Sequence, residues 1–502
     1  MSLLHIHGLN YSLSIFYQFK PILMHTFRIL FCLLLTGSAW AQTNVTIRGT
    51  ITNPLAETVT FRVQKNPLDY PGETIELRLD KAHSFELKTN IGQLARVSFK
   101  HGSEESENGF DTWILEPGDD VVMTVDAKKF WETLRFTGKN ADKFNYYVAD
   151  YVESDIKRKW GERAYGNRQL PIEQQYAFLD TIERVKLQLL EQYRPKVSPF
   201  FYTVWYADTK GMVANYRLGA LFSNASASSP PTLASLSPVL RQFMDSMPTQ
   251  NDTTALADNY VGYLTQLNWV ATNDMLKAMR RGPLKSAEQV AMTRLSYQGK
   301  MLERQWADGV SGSLAYYGIT PDIQQSYDEF NRVYPNSEYK SLLEKKYTTK
   351  LAMSKGRPAF PFTLLTEQGN KVSLADFKGK VVYIDFWAHW CGPCISEMKP
   401  SKVVKAHFAN NPDIVFLYLS LDQEKHRDKW LAAIKQHDIK GLHVIAPGGF
   451  GDPVAKSYDI NGIPSYFVID RAGRFYAVNP PRASEDNGKP LIAVLEKALA
   501  EK

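Results

Sequence analysis

The segment Trp390-Cys391-Gly392-Pro393-Cys394 limits this chain more than any other feature. It follows an apolar run, Lys380-Val381-Val382-Tyr383-Ile384-Asp385-Phe386-Trp387, that reads as a buried strand. It opens a helix predicted to run toward residue 409. Two thiols separated by two residues at a strand-to-helix junction can cycle between dithiol and disulfide. Attack on a disulfide needs a thiolate, and a free cysteine with a pKa near 8.5 is little ionised at neutral pH. Cys391 falls at the helix start, where unpaired N–H groups and the helix dipole stabilise an anion. Cys394 lies one turn later, close enough to attack a mixed disulfide and release its substrate. Pro393 occupies a first-turn position where its missing N–H costs little. Gly392 lets a partner backbone come close. A lone C-x-x-C is also half of a zinc site. Structural zinc wants four N/S ligands, and here there is no second cysteine pair, only His389 two positions before Cys391. No metal and no cofactor are therefore expected.

The N-terminus reads as an address. From Met24 come His25-Thr26-Phe27-Arg28, an apolar run Ile29-Leu30-Phe31-Cys32-Leu33-Leu34-Leu35, and Ala39-Trp40-Ala41 before Gln42. This is a basic stretch, a short apolar stretch and an A-x-A cleavage site, predicting a signal peptide cut after Ala41 with Met24 as the start. The apolar run is well short of the roughly 20 residues that span a bilayer. Removing residues 1–41 takes away Lys20, Arg28 and no acids, so a net charge of +6 becomes +4. It also removes Cys32, one of three cysteines, leaving only the motif pair. An exported protein with only that pair is not using disulfides as staples. Periplasmic location follows as the expectation. With its cations spread and no dense Lys/Arg stripe, the chain is not expected to bind nucleic acid.

A length of 502 suggests two to four domains. Residues 42–137 carry short alternating runs, from Val45-Thr46-Ile47-Arg48-Gly49-Thr50-Ile51 to Val121-Val122-Met123-Thr124-Val125. Spacings of about 10 residues predict an antiparallel β-sandwich or barrel, of which the sandwich is taken as the expectation. Residues 138–350 switch to helical period, as in Leu179, Ile182, Val185, Leu189 and Tyr193. Helices are predicted around 197–222, 233–246, 256–279, 285–306, 322–333 and 336–350, with a loop from Ser223 to Pro231. The aromatics Tyr202, Trp205, Tyr206, Tyr216 and Phe222 read as helical core, with a peptide-binding groove as the alternative. Residues 356–502 alternate strands and helices and close with a hairpin around Ala472-Gly473, implying a mixed α/β sheet covered by helices.

Asp385-Phe386-Trp387-Ala388-His389-Trp390-Cys391-Gly392-Pro393-Cys394 resembles the active-site segment of thioredoxin, and Gly462-Ile463-Pro464-Ser465 resembles that family's cis-proline loop. With Phe377-Lys378-Gly379-Lys380 upstream and an added helix and strand at about 424–446, residues 356–502 resemble the TlpA/ResA branch of exported thiol–disulfide oxidoreductases. Residues 42–137 and the helices after them resemble accessory regions of Bacteroidetes-type members. The resemblance implies that Cys391 attacks and Cys394 resolves. Trp390, Gly392, Pro393, Ile463 and a cis Pro464 would make the docking surface. Asp385 matches the buried acid of thioredoxin, and Glu397 the active-site glutamate of the ResA-like branch. Thioredoxins often pair that acid with a lysine on the next strand, and Ile414–Leu421 contains none, so Asp385 and Glu397 weigh equally as proton acceptors. His389 is expected to point to solvent or line the site.

The resulting expectation is an exported thiol–disulfide oxidoreductase working on protein cysteines in the reducing direction, supplied by an upstream thiol–disulfide donor. Gly392-Pro393 favours reduction, but the dipeptide alone leaves a disulfide oxidase or isomerase open. So does a partner-binding scaffold with a redox-regulated clamp. A peroxidase fits less well, because the Pro-x-x-x-Thr-x-x-Cys segment of such enzymes is absent.

Overall fold

The computed structural model describes residues 43–501 apart from 70–71, 104–106, 155–169, 225–235, 237, 281–283 and 285. The expected signal segment and most of the Ser223–Pro231 loop lie outside the described residues. Among those described, no helix is long and apolar enough to cross a membrane.

Among the described residues, eight strands come first: β1 (Val45–Thr52), β2 (Thr58–Gln64), β3 (Glu73–Arg78), β4 (Ser84–Thr89), β5 (Ala95–His101), β6 (Gly109–Leu115), β7 (Asp120–Asp126) and, after the short helix α1 (Phe130–Thr133), β8 (Arg135–Lys139). They form two four-stranded sheets ordered β4-β1-β7-β8 and β3-β2-β5-β6. Alternation drives this: Val45, Ile47 and Ile51 of β1 and Val59, Phe61 and Val63 of β2 are buried while their neighbours are not. Phe61 of one sheet meets Phe85 of the other at 5.5 Å between ring centres. Gly49 lies opposite Phe85, and a Cβ there would fall 2.2 Å from its ring, so only glycine fits. The all-antiparallel expectation needs correction at one pair, because β1 and β7 run parallel. A parallel neighbour needs a long crossover, and β2 to β6 supply one. The sequence reading also omits β8, which buries only Phe136 and so shows no alternation.

Helices follow: α2 (Ala141–Ser154), α3 (Ile172–Tyr193), α4 (Pro199–Asn224), α5 (Pro238–Asp245), α6 (Asp258–Ala278), α7 (Ser286–Ser296), α8 (Gly299–Tyr317), α9 (Pro321–Val333) and α10 (Lys340–Ala352). One apolar core runs through both sheets and α2 to α6. Trp205 packs edge-on against Tyr147 and donates its Nε1–H to Tyr146 Oη at 2.8 Å. Tyr202, Trp205 and Tyr206 all pack against this core rather than line a groove, Tyr216 is exposed, and the side chain of Phe222 is outside those described. The single helix expected at 285–306 is two helices. Gly299, at φ +55, turns the chain, and the Asp252 carboxylate accepts from Lys300 N–H at 3.0 Å to start α8 afresh.

The last region holds β9 (Thr363–Thr366), β10 (Lys371–Ser373), β11 (Val381–Trp387), α11 (Gly392–His407), β12 (Ile414–Ser420), α12 (Arg427–Gln436), β13 (Leu442–Ile445), α13 (Pro453–Ser457), β14 (Ser465–Ile469), β15 (Phe475–Val478) and α14 (Lys489–Ala500). The sheet order is β10-β9-β13-β12-β11-β14-β15. β11 is central and buried at all seven positions, as its unbroken apolar run requires. It pairs parallel with β12 and antiparallel with β14. Val382, Ile384 and Phe386 pack on one face of the sheet. On the other, Val381 and Tyr383 pack with Val404 of α11 and Leu491 and Leu495 of α14. The C-terminal end of β11 thus delivers the cysteine motif to the edge of a fully supported sheet.

Candidate active site

Ala388 to Cys391 form a turn in which Cys391 N–H donates to Ala388 O at 3.1 Å. The turn is held from outside. Asp422, fully buried in the loop after β12, accepts from His389 N–H at 3.0 Å, and its Oδ1 lies 2.5 Å from His389 Nδ1. Ser420 Oγ–H donates to the same carboxylate at 2.7 Å. His389 is therefore neither free in solvent nor incidental: it ties the residue before Trp390 to the neighbouring strand. Asp422 was not legible as a partner, because nothing local to the motif announces it.

Cys391 is the N-cap of α11, and its sulfur accepts from Cys394 N–H at 3.1 Å. Any negative charge on that sulfur is met by an N–H donor and the positive end of the helix. Cys391 and Cys394 are joined as a disulfide, with Cα atoms 5.2 Å apart. Both are buried, Cys391 at 4% and Cys394 at 1% exposure, so the two sulfurs differ less in exposure than in hydrogen bonding. After reduction, iodoacetamide at mildly acidic pH should therefore alkylate Cys391 first, because thiolate character decides the order. Mass spectrometry showing Cys394 modified first would reverse the assignment.

Gly392 and Pro393 are exposed, and a Cβ on Gly392 would meet nothing within 4 Å, which leaves its outer face open to another chain. The Ile463–Pro464 bond is cis. Ile463 O lies 3.7 Å from Cys391 Sγ. The ladder with β11 begins only at Ser465, so Ile463 stands beside the sulfur outside the sheet. Trp390 is 53% exposed, with its ring centre 6.2 Å from that of Phe450, itself 40% exposed. Phe450 is a second aromatic at the rim that the sequence reading missed. It sits among glycines after β13 and shows no periodicity.

Beneath the motif lie the two acids. Asp385, on β11, is buried and its Oδ1 has no hydrogen-bond partner. Burial pushes its pKa up to about 8, opposed by Lys405 and reinforced by Glu397. Lys405, on α11 and half-buried, is pushed down to about 8 by burial, against the pull of Asp385. Its Nζ donates to Lys440 O at 3.0 Å and lies 5.1 Å from the ring centre of Tyr418. A lysine does face the acid, then, but from the helix rather than the following strand, which is why a search of Ile414–Leu421 misses it. Glu397 is also buried, but its carboxylate already accepts from Ser484 Oγ–H at 2.6 Å and Ser484 N–H at 3.1 Å. The two acids are therefore not equivalent: Asp385 leaves Oδ1 without a hydrogen bond and is raised to about 8, whereas Glu397 is held at both oxygens by Ser484. Among the described residues, no group of three or more His, Cys, Asp or Glu side chains converges as a metal site.

The Redoxin family profile matches residues 354–488. Thiol-disulfide oxidoreductase ResA of Bacillus thuringiensis subsp. konkukian is 30% identical over 135 residues, covering 27% of this chain and 74% of that protein. The chain belongs to the ResA-like thiol–disulfide oxidoreductases. The thioredoxin-like protein YneN of Bacillus subtilis is 29% identical over 132 residues, 26% of this chain and 75% of its own. Among solved structures, the thioredoxin domain of a thiol-disulfide oxidoreductase from Bacteroides vulgatus is 28% identical. It covers 29% of this chain and 98% of that one, with a TM-score of 0.26. The Redoxin match falls on the C-terminal region that carries the site, and the sheets and helices before it lie outside that match.

Proposed function

We propose that this ResA-like enzyme is exported and reduces disulfides in client proteins through Cys391 and Cys394. The observation that carries the reading is Cys391 at the head of α11 with the Ile463 carbonyl beside its sulfur. The Cys391 thiolate attacks one sulfur of a client disulfide, forming a mixed disulfide and expelling the other client sulfur as a thiolate that takes up a proton. Cys394 then loses its proton to the Asp385 carboxylate and attacks Cys391 Sγ. The client leaves as a dithiol, and two electrons have passed from the enzyme to the client. A dithiol donor upstream restores the enzyme by the reverse exchange. Trp390, Gly392, Pro393, Ile463 and Pro464 receive the client chain, and Lys405 shares the charge of Asp385. Residues 356–502 carry the chemistry, 42–137 and 138–350 are accessory domains, and 1–41 are removed on export to the periplasm.

Direction is tested by equilibrating the full mature chain in glutathione buffers and measuring the Cys391–Cys394 potential. A reducing role predicts a value nearer the thioredoxin figure of about −270 mV than the strongly oxidising figure of about −120 mV. Insulin should also be reduced when a dithiol is supplied. A potential above about −180 mV, the range of a protein disulfide isomerase, would assign the enzyme to oxidation or isomerisation instead.

A further inference from the structure

The helical region meets the redox region at the client site. From α10, the buried Lys350 ammonium lies 2.8 Å from the Asp459 carboxylate, in the segment that leads to Pro464. Asn461 Nδ2 donates to the same Asp459 side chain at 3.0 Å. From α8, the backbone carbonyls of Ala315 and Tyr316 accept from Asn479 Nδ2 at 3.3 and 3.0 Å. Asn479 N–H in turn donates to Tyr466 O at 2.8 Å, and Tyr466 follows Pro464 and Ser465 directly. The C-terminal end of α8 is therefore tied to the edge of the sheet at the same end as the cis proline. Trp390 and Phe450 follow β11 and β13, while the α8 end lies along β15, beyond β14 on the opposite side.

This end of α8 carries Tyr316 and Tyr317, 50% and 63% exposed, with ring centres 4.7 Å apart, just before Gly318 turns the chain at φ +71. Two adjacent large rings left in solvent at a helix end contribute little to the fold. We propose that Tyr316 and Tyr317 are a second docking wall for the client, opposite Trp390. The occupant is an extended polypeptide segment flanking the client cysteine, with apolar or aromatic side chains that stack on the two rings. Continuity with the redox site carries the assignment. Two strand spacings separate β15 from β11, about 10 Å, and extended chain covers that distance in about three residues. A client chain crossing from β11 to β15 therefore needs only about that length to come to the end of α8 that is tied to Asn479. Aromatic rings are the side chains best suited to bind varied extended chains, since they offer large area at low entropic cost.

The proposal rests on the reductase reading, and one experiment separates the two. Insulin reduction is followed with the full chain and dithiothreitol for the parent, Tyr316→Ala/Tyr317→Ala and Tyr317→Glu, with thermal melts as the folding control. Loss of two interface aromatics predicts a KM raised about tenfold in the double variant, in the same direction in Tyr317→Glu, with kcat held within about twofold. A KM within twofold of the parent in both variants overturns the docking wall while leaving the reductase intact. A change from dimer to monomer with KM unchanged would give the two rings to a second copy of the chain, and overturns it too. A parent that reduces no insulin refutes the reductase reading itself.

Discussion

Cys394→Ser should accumulate client proteins as stable mixed disulfides on Cys391, whereas Cys391→Ser should trap none and lose insulin reduction by at least about a thousandfold. The asymmetry follows from geometry. Cys391 Sγ caps α11 and lies against Ile463 O at the exposed rim of Gly392 and Pro393. Cys394 lies one turn further along α11, and its N–H donates to the Cys391 sulfur, so it is on Cys391 that the charge needed for the first attack is stabilised. With the inner thiol gone, nothing within the enzyme can attack the mixed disulfide, and only outside thiols clear it. With the outer thiol gone, the first bond never forms. Non-reducing gels of each variant after exposure to an oxidised client extract read the difference directly. Equal trapping by both variants would show that either sulfur can attack first, and would remove the order proposed here.

What could be read from sequence was what is local. The unbroken run Val381–Trp387 specifies a central strand because every position is buried. The motif that follows specifies a helix cap because Cys391, Gly392 and Pro393 each suit their position in the first turn. Ile463-Pro464 was recognisable by its own short pattern. Residues that act across the fold were not. Lys405 reaches Asp385 from about three turns down α11. Asp422 grips His389 from another strand's exit loop, and Ser484 reaches Glu397 from the loop before α14. The same distinction explains the fold-level corrections. A parallel β1–β7 pair and a helix restarted by Asp252 at Lys300 are both decisions made by partners remote in sequence. The accessory regions carry no chemical motif, and their link to the site, through Lys350–Asp459 and Asn479, becomes visible only in three dimensions.

Asp385→Asn should slow release of the client by about a hundredfold at pH 8 and at the same time make the protein more stable. Both effects come from one cause. Burial without a hydrogen-bond partner for Oδ1 raises this carboxyl to about 8 from 3.8. In the second exchange step Cys394 must lose a proton inside the protein, where an unassisted thiolate is disfavoured. A carboxylate titrating near neutrality is matched to take that proton, which is worth about 10² to 10⁴ in rate. The parent's single-turnover rate should rise with pH up to about 8 as Asp385 ionises, and the Asn variant should lose that limb. Glu397→Gln should change the rate by only about threefold, because Ser484 already hydrogen-bonds both of its carboxylate oxygens and holds the side chain in place. The stability effect has a definite sign. Between about 4 and 8 the folded chain holds a proton on Asp385 that the unfolded chain has released, so stability falls as pH rises through that window. The slope is about 1.4 kcal/mol per pH unit at most. Lys405, lowered to about 8 from 10.5, acts only above that window and in the opposite sense. Asparagine cannot ionise, so the variant loses this penalty and should gain several kcal/mol over the parent by pH 8, on the order of that slope times the window. Denaturant midpoints at pH 5 and pH 8 measure it: the gap between variant and parent should widen with pH. A variant with the parent's pH–rate profile and no widening gap would make Asp385 an ordinary buried acid, and the proton of Cys394 would need another acceptor.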